Sequence, residues 1–295
     1  MSDFRLKVFQ SVAKNLSFTK ASQELFVSQP AITKHIQELE ATYQTRLFDR
    51  QGSKISLTES GRLLLEHCER ILEDYKRLEY EMHLLHNEYI GELKLGASTT
   101  IEQYVLPPLL GSFIGKFPQV NLSLLNGNSR EIEAALQEHR IDLGLVEGVF
   151  RLPNLKYTTF LEDELVAVVH SKSRLQLPEE ITPQDLPAIP LVLRERGSGT
   201  LDVIERSLQK HGVKLSSLHV LMYLGSTESI KLFLENSDCM GIVSIRSICK
   251  ELAAGTFRVV EIKDMPMLRD FCFVQLQGQE GGLSQAFMNY MFMSR

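Results

Sequence analysis

An apolar stripe with helical spacing marks the segment from Ser28 to Tyr43. Four hydrophobic positions recur there at i, i+4, i+7 and i+11, which places them on one face of an α-helix. Ser28 is a preferred N-cap residue, and Pro30 falls in the first helical turn, where its missing N–H leaves no intrahelical bond unmade. The pattern therefore predicts a helix that begins at Ser28. The stripe consists of Ile32, Ile36, Leu39 and Tyr43.

The opposite face of this predicted helix is polar. A shorter helical segment, SFTKASQELF, precedes it with Ser17 or Thr19 as N-cap, and a tight turn connects the two. Such a pair is typical of a helix-turn-helix whose second helix enters the DNA major groove, where Gln, Lys and Thr contact base edges or phosphates. An ordinary surface helix with a solvated polar face is the alternative. The candidates for DNA contact are Ser28, Gln29, Pro30, Thr33, Lys34 and Gln37.

The next segment predicts a small β-hairpin. Strands at 47–50 and 54–57 are separated by a Gln-Gly-Ser turn. Arg50 and Lys54 would lie near the tip of this hairpin, where a wing beside a DNA-contacting helix places cations against phosphates. Such contacts add affinity without sequence preference.

Residues 58–90 contain no proline and carry a heptad pattern. Thr58 is a plausible N-cap, and apolar residues then alternate spacings of four and three, as a and d positions of a coiled coil do. A helix of about 32 residues would be about 48 Å long. We expect its apolar seam to meet a second chain, with packing on this chain's own C-terminal region as the alternative. The seam consists of Leu64, Cys68, Ile71, Tyr75, Leu78, Met82, Leu85 and Tyr89.

Beyond Gly91, short apolar runs alternate with helical patterns. ELKLGAS, VNLSLLNGN and IDLGLVEG have the composition of strands, with helical segments between them. This β-α-β-α-β order predicts a parallel sheet covered by helices. A second series follows, and we expect the late strand RDFCFVQLQ and the helix LSQAFMNYMFM to return to the first lobe. The two lobes would be joined by crossings near residues 162 and 266.

Hydroxyls and small residues follow four of the predicted strands. Ligands of open α/β sheets bind at the carboxyl ends of strands, where helix N-termini present free N–H groups. A cleft lined in this way suits a small anion such as a carboxylate, phosphate or sulfate. Each residue alone is also a plausible helix cap, and their recurrence favours a pocket. The candidates are Ser98, Thr99, Thr100, Asn128, Ser129, Glu147, Arg196, Ser198, Thr200, Ser226 and Thr227.

Two features of this set need separate interpretation. Glu147 departs from an anion-binding lining: it would either select a ligand with an amine or hydroxyl, or pair with Arg196. The segment RGSGT, at 196–200, lacks the lysine of a P-loop and the spacing of G-x-G-x-x-G, so we do not expect nucleotide binding.

Composition and charge narrow the function classes. The 295 residues are 43% hydrophobic and 23% charged, as in a globular chain of more than one domain. Residues 1–60 contain eight Lys or Arg and six Asp or Glu, a charge of +2, so the rest of the chain accounts for −7 of a net −5. A basic head on an acidic body is compatible with nucleic-acid binding.

Cysteines and histidines show no metal or nucleophile pattern. The cysteines are far apart, so we expect small buried side chains without disulfides or zinc. The eight histidines lack metal spacing, and G-x-S-x-G is absent, so we expect no enzyme activity and no cofactor. Without a signal peptide or a long apolar run, a cytoplasmic location is expected. The cysteines are Cys68, Cys239, Cys249 and Cys272.

The N-terminal motifs resemble those of the LysR-type transcriptional regulators. The segments FQSVAKNLSFTKASQELFVSQPAITKHIQELE, RLFDR and LTESG carry the resemblance, over roughly residues 4–62. It implies an α/β fold class: an N-terminal winged helix-turn-helix and a long dimerisation helix, followed by a two-lobed effector domain like a type 2 periplasmic binding protein. The predicted domains are 1–58, 59–90 and 91–295. In the last, lobe I comprises 91–161 and 267–295, and lobe II comprises 162–266.

The resemblance also implies roles and partners. Positions comparable to Ser98 and Thr100 contact the effector in this family, and the loop comparable to 196–200 lies at the mouth of the inter-lobe cleft. LVEG and RERGSGT resemble the branch tied to sulfur or carbon assimilation. The expected partners are double-stranded DNA, a small-molecule effector and further copies of the chain, as a homodimer or a dimer of dimers. RNA polymerase is a possible partner, and no membrane is expected.

These features predict a sequence-specific transcriptional regulator, modulated by a small anionic metabolite bound between the lobes. A free-standing solute-binding protein would leave the helix-turn-helix pattern unexplained. A structural nucleoid protein would bind any duplex equally, which the acidic body and the single cation on the DNA-facing helix do not favour.

Overall fold

The computed structural model describes residues 4–51, 54–84, 89–278 and 281–294. The chain divides into two compact units, 1–88 and 89–295. Among the described residues, we find no helix with the length and apolar character that a membrane span requires.

The first unit packs three helices against a hairpin and the start of a long helix. Its core contains Val8 and Phe9 from the first helix, Ala21 from the second, and Ile32 and Ile36 from the predicted apolar stripe of the third. The elements are α1 (Phe4–Asn15), α2 (Phe18–Glu24), α3 (Gln29–Tyr43), β1 (Phe48–Gln51), β2 (Lys54–Leu57) and α4 (Glu59–Leu84).

Helix α3 begins as predicted, but the last of its four predicted apolar positions is not buried. Ser28 is the N-cap residue with Pro30 in the first turn, although the Ser28 side chain makes no capping hydrogen bond. Ile32, Ile36 and Leu39 are buried, but Tyr43 is 53% exposed. The prediction for Tyr43 was wrong because the helix ends there, beyond the core.

The predicted hairpin is present, with a small shift in its first strand. β1 and β2 are antiparallel, from the pair Phe48 and Leu57 to the pair Gln51 and Lys54. β1 therefore begins one residue later than predicted. Gly52 and Ser53 of the turn lie outside the described residues.

Helix α4 begins where expected but does not reach Ile90. The Thr58 hydroxyl accepts a hydrogen bond from the Gly61 N–H at 2.9 Å, which caps the helix. The helix is described to Leu84, and Leu85 lies outside the described residues. Tyr89 is not helical, and its ring lies 4.5 Å from that of Phe117 in the second unit. Heptad spacing alone carries no stop signal, so the predicted end was wrong.

The predicted seam of α4 divides into two parts. Cys68 is fully buried in the core of the first unit, and Leu64 packs against the same core. These two positions therefore belong to the chain's own fold, contrary to the prediction. Further along, Ile71, Leu78 and Met82 are 41%, 53% and 53% exposed.

The second unit alternates strands and helices. 3₁₀ turns at Pro183–Ala188, Leu215–Ser217 and Ile245–Ser247 connect some of them. The elements are β3 (Gly91–Ser98), α5 (Thr99–Tyr104), α6 (Leu106–Lys116), β4 (Val120–Gly127), α7 (Ser129–Gln137), β5 (Leu143–Glu147), β6 (Leu155–His170), β7 (Glu180–Ile181), β8 (Leu191–Arg194), α8 (Gly199–Lys210), β9 (Val220–Leu224), α9 (Thr227–Glu235), β10 (Met240–Ser244), α10 (Cys249–Ala253), β11 (Phe257–Ile262), β12 (Met267–Leu276) and α11 (Gly282–Met293).

A mixed sheet runs through both lobes in the order β4-β3-β5-β12-β6-β10-β8-β9. β3 is parallel to β4 and β5, as the sequence predicts. β12 is antiparallel to β5 and β6, so the sheet is not wholly parallel. β6 and β12 are long strands that pair along their length and connect the lobes.

The lobes have separate cores. In lobe I, Phe287 and Met291 of α11 pack with Leu93 and Phe113, so the last helix returns to this lobe as predicted.

Three of the four cysteines are buried, but Cys249 is exposed. The prediction for Cys249 was wrong because α10 is a short helix at the surface of lobe II.

Candidate functional site

The outward face of α3 presents the side chains that the sequence singles out. Gln29, Pro30, Lys34 and Gln37 are exposed. Thr33 is half-buried, and its hydroxyl donates to the Gln29 carbonyl at 3.1 Å. Ser28 is exposed next to them. The side chains of Arg50 and Lys54 lie outside what the structure describes.

A carboxylate that the sequence analysis missed connects the helices behind α3. Glu24, at the end of α2, accepts hydrogen bonds from Ser11 Oγ at 2.8 Å and from Asn15 Nδ2 at 2.6 Å. Both donors belong to α1. These bonds fix α2 on α1 and thereby the turn that leads into α3.

The carboxyl ends of β3 and β5 meet at the contact between the lobes. The Ser98 hydroxyl donates to the Glu147 carboxylate, and both residues are buried. The other Glu147 oxygen lies 3.5 Å from Nη1 of Arg269. Ser129 Oγ donates to the Glu147 main-chain oxygen at 2.7 Å.

Arg269 joins residues of both lobes, although no sequence pattern indicates this role. Its Nε donates to Asp163 at 2.8 Å, and its Nη1 donates to the Thr200 hydroxyl at 2.9 Å. Asp163 also accepts from Ser244 Oγ at 2.7 Å. Arg269 is therefore the cation beside Glu147, and the alternative that Arg196 pairs with Glu147 was wrong: Arg196 is exposed.

A second buried arginine lies at the end of β8. Arg194 is 1% exposed. Its Nε and Nη2 donate to the Glu195 carboxylate at 2.8 and 3.0 Å. Nη2 also lies 3.4 Å from the Thr99 hydroxyl of lobe I. Arg194 thus forms another contact between the lobes.

Several buried polar atoms at this contact have no hydrogen-bond partner among the described residues. They are Thr100 Oγ1, Gln103 Oε1, Arg194 Nη1 and Arg269 Nη2. Leaving a buried donor or acceptor unsatisfied costs about 1–3 kcal/mol. Three of the four atoms can donate, so an acceptor-rich ligand would satisfy more of them than a donor-rich one.

Other predicted site residues act as helix caps. The Asn128 side chain accepts from the Glu131 N–H at 3.0 Å, Ser198 Oγ from Leu201 N at 3.1 Å, and Ser226 Oγ from Ser229 N at 3.1 Å. The capping interpretation therefore holds for these three. Thr200 and Thr227 are buried beside two of the caps.

Tyr104 links α5 to α9 at the same lobe contact. Its hydroxyl donates to the Glu228 carboxylate. Burial, and then this hydrogen bond, raise the pKa of Tyr104, so the phenol stays protonated. Lys231 Nζ lies 2.8 Å from Glu228 and completes the chain of contacts.

Two cavities adjoin the network around Glu147 and Arg269. One, of about 340 Å³, lies between α7 and α8 and includes Glu147, Phe150 and Asp202 in its lining. The other, of about 360 Å³, lies beside β6 and β12 and includes Arg206 and Arg269. Ser98, Thr99 and Thr100 are buried, and the Thr99 hydroxyl lies against Arg194 of lobe II. In the part of the chain that the structure describes, no group of His, Cys, Asp and Glu side chains is arranged to hold a metal ion.

A winged helix-turn-helix unit and a two-lobed α/β unit with a polar cleft define a class of DNA-binding proteins with a ligand-binding domain. Residues 4–62 match the bacterial regulatory helix-turn-helix protein model of the lysR family, and residues 86–292 match the LysR substrate binding domain. The chain belongs to the LysR family of transcriptional regulators.

Relatives match over nearly the whole chain. The HTH-type transcriptional regulator CysL of Bacillus subtilis is 29% identical over 269 residues, 91% of this chain and 89% of CysL. The RuBisCO operon transcriptional regulator of Acidithiobacillus ferrooxidans is 30% identical over 289 residues, 98% of this chain and 92% of the relative. Among solved structures, the Synechocystis CcmR regulatory domain in complex with 2-PG is 28% identical, with a TM-score of 0.62, covering 69% of this chain and 97% of that domain.

Proposed function

We propose that this chain is a sequence-specific transcriptional regulator whose DNA binding responds to a small anionic metabolite held between the lobes. The observation that carries the proposal is a set of buried donors without partners among the described residues: Thr100 Oγ1, Arg194 Nη1 and Arg269 Nη2. Both arginines contact residues of the two lobes. Thr100 is also one of the two residues, with Ser98, that the family resemblance assigns to the effector.

The existing partners explain why an anion fits. Arg194 is already paired with Glu195, and Arg269 with Asp163 and Glu147. Apart from the acceptor Gln103 Oε1, what remains unsatisfied here among the described residues is N–H and O–H donor capacity. A carboxylate, phosphate or sulfate supplies several acceptor atoms and makes charge-assisted hydrogen bonds with guanidinium groups.

Ligand binding at this place would change how the lobes are held. Arg269 and Arg194 each contact residues of both lobes, so an anion that draws on their free nitrogens favours one lobe arrangement over another. A ligand shifts DNA binding only through such differential affinity. The proposed response is a change in the arrangement of linked subunits on DNA.

The effector proposal is tested by thermal unfolding of the full chain with a panel of sulfate, phosphate, sulfur metabolites, aromatic acids and 2-PG, the compound in the CcmR structure. A ligand at about 100 times its Kd stabilises the native state by about 2.7 kcal/mol. The stabilisation should disappear in Arg194→Gln. A ligand that stabilises both proteins equally would place the effector elsewhere.

The DNA proposal is tested by binding to selected and random duplexes. Gln29→Ala and Thr33→Ala should weaken binding to the selected sequence and leave random-sequence binding unchanged, because base contacts specify and phosphate contacts do not. Arg50→Ala should weaken binding to every duplex and reduce the salt slope by about one. Unchanged discrimination in the α3 variants would contradict the assignment.

We also propose that the chain acts as a homodimer or a dimer of dimers, through the exposed part of the α4 seam. Two copies of α3 would then contact half-sites about 34 Å apart. Three further expectations accord with this function and stay predictions. They are a cytoplasmic location, contact with RNA polymerase and the absence of enzyme activity.

A further inference from the structure

Phe26 occupies the turn between α2 and α3 in an unusual way. Its side chain is 95% exposed. Its neighbours Leu25 and Val27 are partly buried and pack against the core of the first unit. Because the residues on either side point inward, the turn directs Phe26 away from the protein.

Neither backbone nor packing accounts for a phenylalanine at this position. The φ of Phe26 is 54°, in the left-handed region. Bulky residues rarely adopt this conformation, whereas Gly and Asn tolerate it. The exposed ring contributes almost no burial to the fold. Residues held in such backbone regions are concentrated at functional sites.

The position of Phe26 points to the partner that covers it. It lies three residues before Gln29 in the segment that leads into α3, and both side chains are exposed. The N-terminal residues of the second helix of a helix-turn-helix contact base edges in the major groove. The apolar group displayed in that groove is the C5 methyl of thymine, and Phe is among the side chains that contact it.

We propose that Phe26 contacts a thymine methyl group at the edge of the DNA sequence that α3 contacts. The inference rests on the proposed sequence-specific DNA binding and adds a specificity-determining residue to it. The ligand is a duplex that carries thymine at that position.

The test replaces thymine with uracil, which differs only in lacking the methyl group. A duplex is selected from a random pool by the full-length protein, and each thymine is then replaced singly. At the contacted position, the wild type should lose affinity about fourfold, the factor that corresponds to exposing one methyl-sized apolar group. Phe26→Asn should bind the thymine and uracil duplexes equally at that position.

The variants are chosen so that folding does not obscure the result. Asn tolerates positive φ, so Phe26→Asn should unfold at a temperature no lower than the wild type. Phe26→Gly is the second variant and should behave in the same way. Tyr43→Asn is the matched control, because Tyr43 is another exposed aromatic residue of this unit, at the opposite end of α3. It should keep the wild-type response to uracil.

Two outcomes would contradict the role of Phe26 but not the sequence-specific function. In the first, replacing any thymine of the selected duplex with uracil leaves the affinity unchanged. In the second, Phe26→Asn loses as much affinity on that replacement as the wild type does. Loss of the response in Tyr43→Asn as well would also count against it, since the effect would then not be specific to Phe26. Failure to select any preferred duplex would contradict the sequence-specific function itself, and this inference with it.

Discussion

Thr100 carries a hydroxyl that the fold does not use. Its Oγ1 is buried without a partner among the described residues, and the residue is 0% exposed. Thr100→Val keeps the shape and removes the unsatisfied atom. We expect the free energy of unfolding of the ligand-free protein to stay the same or to rise by about 1 kcal/mol, measured by urea denaturation.

Ser244→Ala is the control for this variant. Ser244 is also buried, but its hydroxyl donates to Asp163 at 2.7 Å. Removing that donor should lower the free energy of unfolding by about 1–3 kcal/mol. Equal destabilisation in both variants would mean that the Thr100 hydroxyl also stabilises the ligand-free fold.

The four thiols should differ sharply in reactivity. Burial raises the pKa of Cys68 to about 12, and it also raises the pKa of Cys239 and Cys272. Cys249 is exposed. Because the thiolate is the reactive form, an aromatic disulfide reagent at pH 8 should label one thiol rapidly in the native protein. Four should react in denaturant.

Cys249→Ser identifies the reactive thiol. This variant should lose the rapid phase and keep the three slow ones. Rapid labelling of a second cysteine in the native protein would contradict the burial of Cys68, Cys239 and Cys272.

Single residues were predictable where their neighbours in sequence decide their environment. Ile32 and Ile36 are buried because helical spacing fixes their face. The partner of Glu147 was not predictable, because Arg269 comes from a distant strand and reaches Glu147 only through the pairing of β12 with β5. Which hydroxyl lacks a partner also depends on both lobes, so Ser98 and Thr100 could be named as candidates but not distinguished.

At the scale of elements, α8 begins in close contact with β5. A Cβ atom on Gly199 would lie 2.0 Å from the Glu147 main-chain oxygen. Gly199→Ala should therefore separate the two elements and lower the free energy of unfolding by about 3 kcal/mol, the upper part of the range for overpacking. The midpoint of urea unfolding measures the effect.

Gly111 provides the matched control, because a Cβ there has open space around it in α6. Gly111→Ala should raise the free energy of unfolding by about 0.5–1 kcal/mol. If Gly199→Ala were as stable as Gly111→Ala, the contact between α8 and β5 would be looser than the structure indicates.

Elements with local start and stop signals were predicted well. Ser17 and Thr58 act as the caps expected of them, and two paired strands flank the predicted turn, although Gln51 belongs to β1. The end of α4 carries no such signal, and its apolar seam gave no sign that Leu64 and Cys68 pack on the chain's own core. Both errors arise because heptad spacing indicates neither where a helix ends nor which surface packs against its apolar face.

The lobes of the second unit share their longest strands. β6 and β12 are paired from Leu155 and Leu276 to Leu165 and Met267. Arg269 sits on one of these strands and bonds to residues of both lobes. Under the proposed function, relative motion of the lobes would strain these strands and alter these bonds.

In the proposed function, assembly of two or more chains connects this motion to DNA. Leu78 and Met82 are each 53% exposed on one face of α4. They lie beyond the residues of this helix that pack on the core of the first unit. Leu78→Asp should therefore convert a dimer to monomers in sedimentation equilibrium at micromolar concentration, because it places a charge in an apolar seam. Binding to a two-half-site duplex should fall at least tenfold, whereas ligand-dependent stabilisation of the second unit should persist. Glu66→Gln, at an exposed polar position of the same helix, should leave assembly unchanged. A Leu78→Asp protein that remains dimeric would show that the chains associate through another surface.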